Sequence, residues 1–354
     1  MAEYANYHID TFLTNLSIAR KNRKFVAERV FPVVPVDIPS DKYPIFNKET
    51  FLRAGGLDAQ NKSGLIRRPG TRSAEIVYDL SNQSYYCEEI AQSYVLTARE
   101  RNSMDKPLRP DIQATNIVTD TVMLANELQV AKKVMTRGNY ASANKAQLVT
   151  TTTSWAANAA PYSTSQTSFP ISVDIPAGKK AVMKSLVVDE PNRILMNYSA
   201  ATTLAANWEY KDKFRGVSTE GLTSAGLVPL LLGLETIVAP AQYVTSAQGV
   251  AVTTDYIWKD DNSTPQDAAL IYYAPDSAAG IETVSFGLTF EAPDDETRAR
   301  GFGIFRWLEP WKKAEYIECS TTRDWRYTCT DGSTNGDNSS GYADGGYLIS
   351  GVTI

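Results

Sequence analysis

The sequence predicts an α+β fold on three observations. One long amphipathic helix is predicted at residues 110–137, short apolar strands separated by Gly, Ala and Ser turns follow from about residue 190, and the first 106 residues are mostly extended. The chain has 354 residues, of which 43% are hydrophobic and 10% aromatic. This composition allows a large buried core with more than one subdomain and excludes a disordered or collagen-like chain.

The N-terminal part is predicted to extend away from its own subunit. The sequence FPVVPVDIPSDKYPIF, which begins at Phe31, is rich in Pro and β-formers, and these break helices and extend the chain without building a core. Residues 47–75 have few apolar anchors and many charges, and AEIVYDL and QSYYCEEI then alternate like strands. We therefore expect an arm and then two antiparallel strands that carry a long flexible loop, which something outside the subunit must order.

The segment PDIQATNIVTDTVMLANELQVAKKVMTRG has the strongest helix signal of the chain. Pro110 suits the first turn, Asp111 follows it, basic residues lie near the end, and Gly138 is a natural stop. Helical spacing predicts one mostly apolar stripe that packs in the core, formed by Ile117, Thr121, Leu124, Leu128, Ala131 and Met135.

The remainder of the chain is predicted to alternate connections, helices and short strands. Residues 141–170 are a polar, Ser/Thr-rich connection, and a second helix is expected from about Val173 to Lys184. RILMN predicts a short buried strand, and YSAATTLAANWEYKDKF predicts a helix. Further strands are predicted in GLVPLLLGLETIVAP, VAVTTDYIW, DAALIYYAP and VSFGLTF, and the C-terminal tract pairs AEYIECSTTRDWRYTC with GYLISGVTI.

Charge is divided unevenly along the chain. Lys plus Arg number 35 and Asp plus Glu number 40, a net charge of −5, which argues against a histone-like coat for nucleic acid. Residues 1–138 hold 19 basic and 16 acidic residues, whereas the remainder holds 16 and 24. The two portions are electrostatically complementary, which matters if copies of the chain touch one another.

Several functional classes are excluded or disfavoured. The longest apolar run, Leu227 to Leu232, is far shorter than the roughly 20 residues that span a bilayer, and the N-terminus lacks the pattern of a secretory signal. The three cysteines form neither a disulfide framework nor a CxxC metal pattern. His8 is the one histidine, which disfavours Ser/His/Asp and Cys/His catalysis and a zinc site. No nucleotide motif occurs, and the acidic run 294–296 is expected to be a solvated turn.

In this order, the segments resemble the major capsid proteins of tailed bacteriophages. The opening HIDTFLTNLSIARKNRKFVAERVFPVVPVDIPSDKYPIF is similar to the N-terminal segment of that family. In the middle, RILMN with its following helix, GLVPLLLGLETIVAPAQYVTSA and DYIWKDDNSTPQDAALIYYAP match, with Trp258 and the run Ala268 to Tyr273 where the family has a strand pair. SFGLTF, RWLEPWKKAEYIEC and GYLISGVTI complete a resemblance that covers nearly the whole chain.

The resemblance implies a fold and a domain order. We expect an N-terminal arm at 1–40 and an extended loop (E-loop) with flanking strands at 41–106. A peripheral domain with the spine helix 110–137 is expected at 107–190, an axial domain at 191–300, and C-terminal strands at 301–354 that return to both domains.

The resemblance also implies a function. The chain is expected to be a structural protein and not an enzyme, with no cofactor, which assembles in the host cytoplasm through pentamers and hexamers into an icosahedral virion shell around double-stranded DNA. Its partners would be copies of itself, a portal, an optional decoration protein and a separate scaffolding protein, since the chain starts directly with the arm. Packaged DNA would be held without specific binding, and no membrane partner is expected.

The candidate inter-subunit contacts are basic residues of the loop, namely Arg53, Lys62, Arg67, Arg68 and Arg72. They would set register against an acidic surface of a neighbour, and the alternative is a solvated surface. Some family members cross-link a loop Lys to a neighbouring Asn. Lys48, Lys62 and Asn335 or Asn338 are available as residue types, but ordinary solvated side chains are expected here.

The sequence is also compatible with three alternative functions. An encapsulin, a cellular nanocompartment of the same fold that holds a cargo enzyme, is the nearest. A phage tail tube or sheath subunit would form open helical assemblies, and the long helix before an αβ middle counts against it. A carboxylate-based hydrolase is third, and the lone histidine and absent motifs disfavour it.

Overall fold

The computed structural model describes residues 8–9, 25–45, 66–67, 69–72, 82–103, 110–148, 154–158, 169–185, 190–216, 222–247, 249–261, 266–277, 280–293, 301–330 and 342–353. Its helices and sheets confirm the predicted α+β class. His8 lies in an extended segment, as expected. The predicted strand AEIVYDL and the acidic run 294–296 lie outside the described residues.

The regular elements are numbered in chain order. The strands are β1 (His8–Ile9), β2 (Val33–Pro35), β3 (Ser40–Pro44), β4 (Asn82–Tyr86), β5 (Glu88–Thr97), β6 (Lys145–Gln147), β7 (Arg193–Asn197), β8 (Leu230–Leu231), β9 (Leu234–Ala239), β10 (Gln242–Val244), β11 (Thr254–Tyr256), β12 (Ala268–Tyr272), β13 (Gly287–Ala292), β14 (Gly303–Glu309), β15 (Ala314–Tyr327) and β16 (Gly346–Ser350). The α-helices are α1 (Ala27–Val30), α2 (Ala98–Ser103), α3 (Pro110–Met135), α4 (Ile175–Ser185), α5 (Tyr198–Ala206) and α6 (Trp208–Lys213).

Two six-stranded sheets organise the subunit. The first, sheet A, has the order β1-β14-β15-β13-β2, and β5 pairs with β15 along the edge opposite β14. The second, sheet B, has the order β6-β16-β12-β7-β9-β8. Strands β7, β12 and β16 are buried at every residue, because one face of sheet B meets α4 and α5 and the other meets α3 and sheet A. The predicted C-terminal strands β15 and β16 therefore exist but lie in different sheets.

The long helix is confirmed, and it ends two residues earlier than predicted, at Met135. Its predicted apolar stripe is wrong in the first half. Ile117 is 53% exposed and Thr121 is exposed, whereas the row formed by Ala114, Val118 and Val122 packs against sheet A. Both rows have helical spacing, so periodicity alone does not show which row is buried. In the structure, the row with the smaller side chains is the one that contacts the sheet. Leu128 is only half-buried.

This correction predicts unequal costs at two adjacent positions of α3. Val118→Ala is expected to reduce the free energy of unfolding of the unassembled subunit by about 2 kcal/mol, because apolar transfer is lost and a cavity is left. Ile117→Ala is the matched control, and its cost should stay within about 0.5 kcal/mol because the side chain is already exposed. Urea denaturation measures both, and a larger loss at Ile117 would restore the original stripe.

The predicted arm packs on its own subunit, contrary to the expectation that it builds no core. Phe31, Val34 and Tyr43 are at most 1% exposed. The Phe31 ring makes edge contacts with Phe286 and Tyr327, with centroid distances of 5.5 and 5.6 Å. Strand β2 pairs in parallel with β13 at the end of sheet A. An edge strand tolerates proline, so the Pro-rich composition that suggested a free arm is compatible with a sheet.

Of the two strands expected to carry the loop, AEIVYDL lies outside the described residues, so their pairing stays a prediction. QSYYCEEI is divided between β4 and β5, and β4 pairs antiparallel with β3 of the Pro-rich segment, with Ser40 opposite Tyr86 and Pro44 opposite Asn82. The second predicted helix begins as a π-helical turn at Pro170–Asp174 before α4. The third is divided at Asn207, whose side chain accepts a hydrogen bond from the Glu209 N–H and so starts α6 as a new helix.

The three cysteines, Cys87, Cys319 and Cys329, are free and buried. Burial raises the pKa of the Cys87 thiol to about 11 and that of Cys329 to about 12. Among the described residues, no helix has the length and apolarity needed to cross a membrane. The same part of the chain holds no group of three or more His, Cys, Asp or Glu side chains placed to bind a metal ion.

Candidate assembly surface

Two of the five predicted contact residues, Arg67 and Arg72, lie in the described part of the chain, and both are exposed. Arg67 Nε donates a 2.5 Å hydrogen bond to the Thr71 carbonyl across a turn in which Gly70 has a φ of +81°. A left-handed φ favours glycine, so this turn is locally specified. The other candidate contact and cross-link residues lie outside the described residues, namely Lys48, Arg53, Lys62, Arg68, Asn335 and Asn338.

The base of the loop is held firmly by aromatic contacts. The Tyr43 hydroxyl of β3 donates to the Tyr327 carbonyl at 3.1 Å, and burial raises the pKa of this tyrosine. The Tyr85 ring of β4 stacks on Phe290 with a centroid distance of 4.5 Å. The Tyr86 N–H donates to the Asp324 carboxylate at 2.9 Å. The β3–β4 pair is therefore anchored on β13 and β15.

A cluster of four charges holds the chain where it returns from the loop. Arg101 of α2 pairs with Asp111 of α3, at an N–O distance of 2.7 Å, and also with Glu315 of β15. Arg306 of β14 pairs with the same Glu315 and lies 3.7 Å from Asp111. These partly exposed pairs add little stability individually. Together they tie α2 and the first turn of α3 to the end of the β14–β15 hairpin.

Glu127 binds the N-terminal segment to α3 and is 1% exposed. Its Oε1 atom accepts hydrogen bonds from the Val26 N–H at 3.0 Å and the Trp258 Nε1–H at 2.7 Å, and Oε2 accepts the Ala27 N–H at 2.8 Å. The carboxylate thus satisfies donors at the start of α1, where no local side chain provides a cap. Burial raises the pKa of Glu127, and these hydrogen bonds oppose that rise.

Helix α1 also connects the segment to both sheets through ion pairs. Glu28 pairs with the buried Arg323 of sheet A, which also pairs with Glu291 at 2.6 Å. Arg29 pairs with Glu235 of sheet B. A buried arginine of β7, Arg193, donates at 3.1 Å to Glu235, at 2.5 Å to Asp276 and at 3.0 Å to the Arg29 carbonyl. Residues 25–36, here called the docking segment, therefore join α3, sheet A and sheet B.

Sequence reasoning missed three buried charged residues of this network, Glu127, Arg193 and Arg323, which bind the docking segment directly. A signal was present for two of them, because each is a charged residue inside an apolar pattern. Glu127 recurs at helical spacing with the buried Val130 and Val134, and Arg193 opens the fully buried strand RILMN. A charged residue is rarely buried unless it is paired, so such positions predict a specific partner.

Two known proteins are similar to the chain in sequence. The major capsid protein of Burkholderia phage BcepMu is 28% identical over 229 residues, which cover 65% of this chain and 67% of that protein. The major capsid protein of Pseudomonas phage JBD67 is 24% identical over 244 residues, which cover 69% of this chain and 70% of that protein. No protein-family model matches the chain.

Solved structures share the fold over almost its full length. A phage-related protein from Bordetella bronchiseptica has a TM-score of 0.67 at 19% identity and covers 97% of both chains. The capsid structure of cyanophage P-SCSP1u has a TM-score of 0.56 at 10% identity, covering 94% of this chain and 89% of that one. The chain is a relative of the tailed-phage major capsid proteins and has their fold. The predicted resemblance is confirmed.

As a capsid protein, the chain is a structural virion component and not an enzyme, as predicted. The fold is shared with encapsulins. The holo encapsulin complex of Synechococcus elongatus has a TM-score of 0.50 at 13% identity and covers 96% of this chain and 94% of that one. At such identity the likeness shows the fold alone, whereas the sequence similarity is to phage capsid proteins.

Proposed function

We propose that this capsid protein assembles through pentamers and hexamers into a closed icosahedral shell that encloses double-stranded phage DNA. The observation that carries the proposal is the sequence similarity to two phage major capsid proteins over about two thirds of the chain. Repeated weak contacts sum by multivalency into a durable assembly, and head-to-tail contacts can close rings. No catalytic group is required for this function.

In the proposed shell, residues 1–40 form the arm, 41–106 the E-loop, 107–190 the peripheral domain, 191–300 the axial domain, and 301–354 the returning C-terminal strands. The anchored β3–β4 pair supports the assignment of the E-loop, because the two strands on either side of the predicted loop pair with each other. The packing of β5 and β15 on the first half of α3 supports its role as the spine helix.

The partners follow from the same proposal. A net charge of −5 disfavours strong adhesion to DNA, so the packaged genome is confined without specific contacts. A separate scaffolding protein, a portal and an optional decoration protein remain the proposed further partners.

Charge on the E-loop is proposed to set the register between neighbouring subunits. Arg67→Glu combined with Arg72→Glu is expected to reduce the yield of shells without changing the thermal melting of the subunit, because both side chains are exposed. Each exposed ion pair contributes only about 0 to 1 kcal/mol, but a shell repeats it many times. The charge-matched control is Lys180→Glu with Lys184→Glu, on the exposed side of α4. Equal yields of shells from both double variants would contradict the proposed role of the loop charges.

Negative-stain microscopy of the purified protein tests the shell itself. Closed shells are expected, with smaller rings as intermediates. Open tubes would favour a tail subunit, and a monomer at every concentration tested by light scattering would contradict the proposal. Because the fold is shared with encapsulins, an encapsulin is the alternative. It predicts closed shells around a co-purified protein cargo. It also predicts neighbouring genes for that cargo in place of terminase and portal genes.

A further inference from the structure

The hairpin that joins β14 and β15 carries an unusual aromatic side chain. Trp311 is 95% exposed, the highest value among the large hydrophobic residues of the described chain. Pro310 precedes it, and Leu308, also on the hairpin, is 59% exposed. A tryptophan is highly buried on average, and an exposed apolar patch marks an interaction site more often than a single exposed residue does.

The tip of this hairpin, residues 310–313, is held in place by contacts with the rest of the subunit. The Lys313 carbonyl accepts a hydrogen bond from the Ala98 N–H at 3.1 Å. Trp307 and Tyr316 stack across the hairpin with a centroid distance of 5.1 Å. A hairpin held in this way loses little backbone conformational entropy on binding, and tryptophan is among the residues that most often dominate an interface.

A groove of about 300 Å³ lies at the other end of α3, between that helix and the β10–β11 hairpin. Leu128, Met135, Tyr243 and Ile257 provide its apolar lining, and the polar rim includes Asp261. This volume is at the lower limit of cavities that hold small molecules, about 300 Å³, so it has room for one aromatic side chain.

Tip and groove are complementary in charge. Lys312 and Lys313 directly follow the tryptophan, with Glu309 nearby. The groove is lined by three aspartates and two lysines, namely Asp255, Asp260, Asp261, Lys132 and Lys259. The tip is therefore net positive and the groove net negative. Asp261 is exposed and accepts a hydrogen bond from the Arg137 N–H, which leaves its carboxylate accessible to a cation.

The groove cannot be filled by the tip of the same chain. The tip belongs to the end of the hairpin where Arg101 bridges Glu315 of β15 and Asp111 in the first turn of α3. The groove flanks Lys132 in the last turns. At 1.5 Å per residue, these two points of the helix are about 30 Å apart. A tip at one end and a matching groove at the other define a head-to-tail contact, which closes rings or grows open chains.

We propose that Trp311 of one copy inserts into the groove between α3 and the β10–β11 hairpin of a second copy, with Lys313 facing Asp261 of that copy. The inference rests on the proposed assembly into a shell and names one contact of it. Rim charges at such a contact speed and orient association, and the buried tryptophan provides most of its strength.

Two single substitutions test the contact from its two sides. Trp311→Ala and Gln129→Trp, which fills the groove from an exposed lining position of α3, are each expected to weaken association at least about tenfold in concentration-dependent light scattering. Leu230→Ala removes another exposed apolar side chain, on β8, and Gln113→Trp adds a tryptophan at an exposed position near the start of α3. Both controls should assemble like the unmodified chain, and unchanged assembly of Trp311→Ala would overturn the proposal.

A disulfide trap tests the geometry directly. Lys312→Cys and Gln129→Cys place thiols beside the tip and in the groove while Trp311 is kept, and the three native cysteines are buried. Under mild oxidation, the chain with both substitutions should give a ladder of dimers and larger oligomers on non-reducing gels. A mixture of the two single variants should stop at dimers, because each copy then has half of one contact.

The trap separates this inference from the proposed function. Shells of the unmodified chain without a ladder would overturn the tryptophan contact and leave the shell in place. A ladder without shells would support the contact and contradict the proposed function. The absence of both would contradict both.

Discussion

Glu127→Ala is expected to destabilise the subunit by about 3 kcal/mol or more. The substitution removes the acceptor for the N–H groups of Val26, Ala27 and Trp258, all of which lie in the core. A buried donor without a partner costs about 1 to 3 kcal/mol. Chemical denaturation of the unassembled subunit measures the loss, and hydrogen exchange should show that residues 25–31 lose protection first, because they are the ones released.

Two controls separate this effect from general damage to α3. Glu28→Ala removes a carboxylate that is 60% exposed and should cost far less. Glu127→Gln keeps one acceptor oxygen and removes the titration. Because burial raises the pKa of Glu127 above 4.5, the stability it contributes is present below pH 4.5 and declines as pH rises through the raised value. The unmodified chain should therefore lose stability relative to Glu127→Gln as pH increases, and a gap that is constant across this range would contradict the assignment.

Gly287→Ala is expected to reduce the free energy of unfolding by about 3 kcal/mol and to loosen the docking segment where it packs against sheet A. A Cβ atom at this position would lie 2.6 Å from Phe31 Cζ and 2.8 Å from the Arg326 carbonyl oxygen. The carbonyl belongs to β15 and cannot move without disturbing the β13–β15 pairing. Phe31 is held by aromatic rings on two sides. Overpacking of a core typically costs about 1 to 3 kcal/mol, and contact with backbone places this case at the upper end.

Gly280→Ala is the matched control on the connection that leads to β13. No atom lies within 4 Å of the Cβ that it would add, so the melting temperature should change little. The double variant Gly287→Ala with Phe31→Ala should lose less free energy of unfolding than the sum of the two single losses, because the smaller side chain removes the steric conflict with the ring. If Gly287→Ala melts like the unmodified chain, Phe31 does not pack against β13 as described.

Of the features of the predicted loop, one could be predicted from local sequence and one could not. The exposure of Arg67 and Arg72 was predictable, because a charged stretch with few apolar neighbours has no reason to be buried. The anchoring of the β3–β4 base was not. It depends on Tyr43 and Tyr85 meeting Phe290, which lies more than 200 residues further along the chain.

The sequence by itself determined the α+β class, the position of α3, the burial of RILMN and the resemblance to capsid proteins. These follow from spacing, helix-end residues and the order of segments, which are local properties of the chain. Only the tertiary structure decided which face of α3 is buried and that the Pro-rich segment packs on its own subunit. It also showed that Glu127, Arg193 and Arg323 hold this segment there. Two rows of α3 have the same spacing, and a buried charge is tolerated only where distant residues supply its partners, so these outcomes depend on contacts that no local pattern contains.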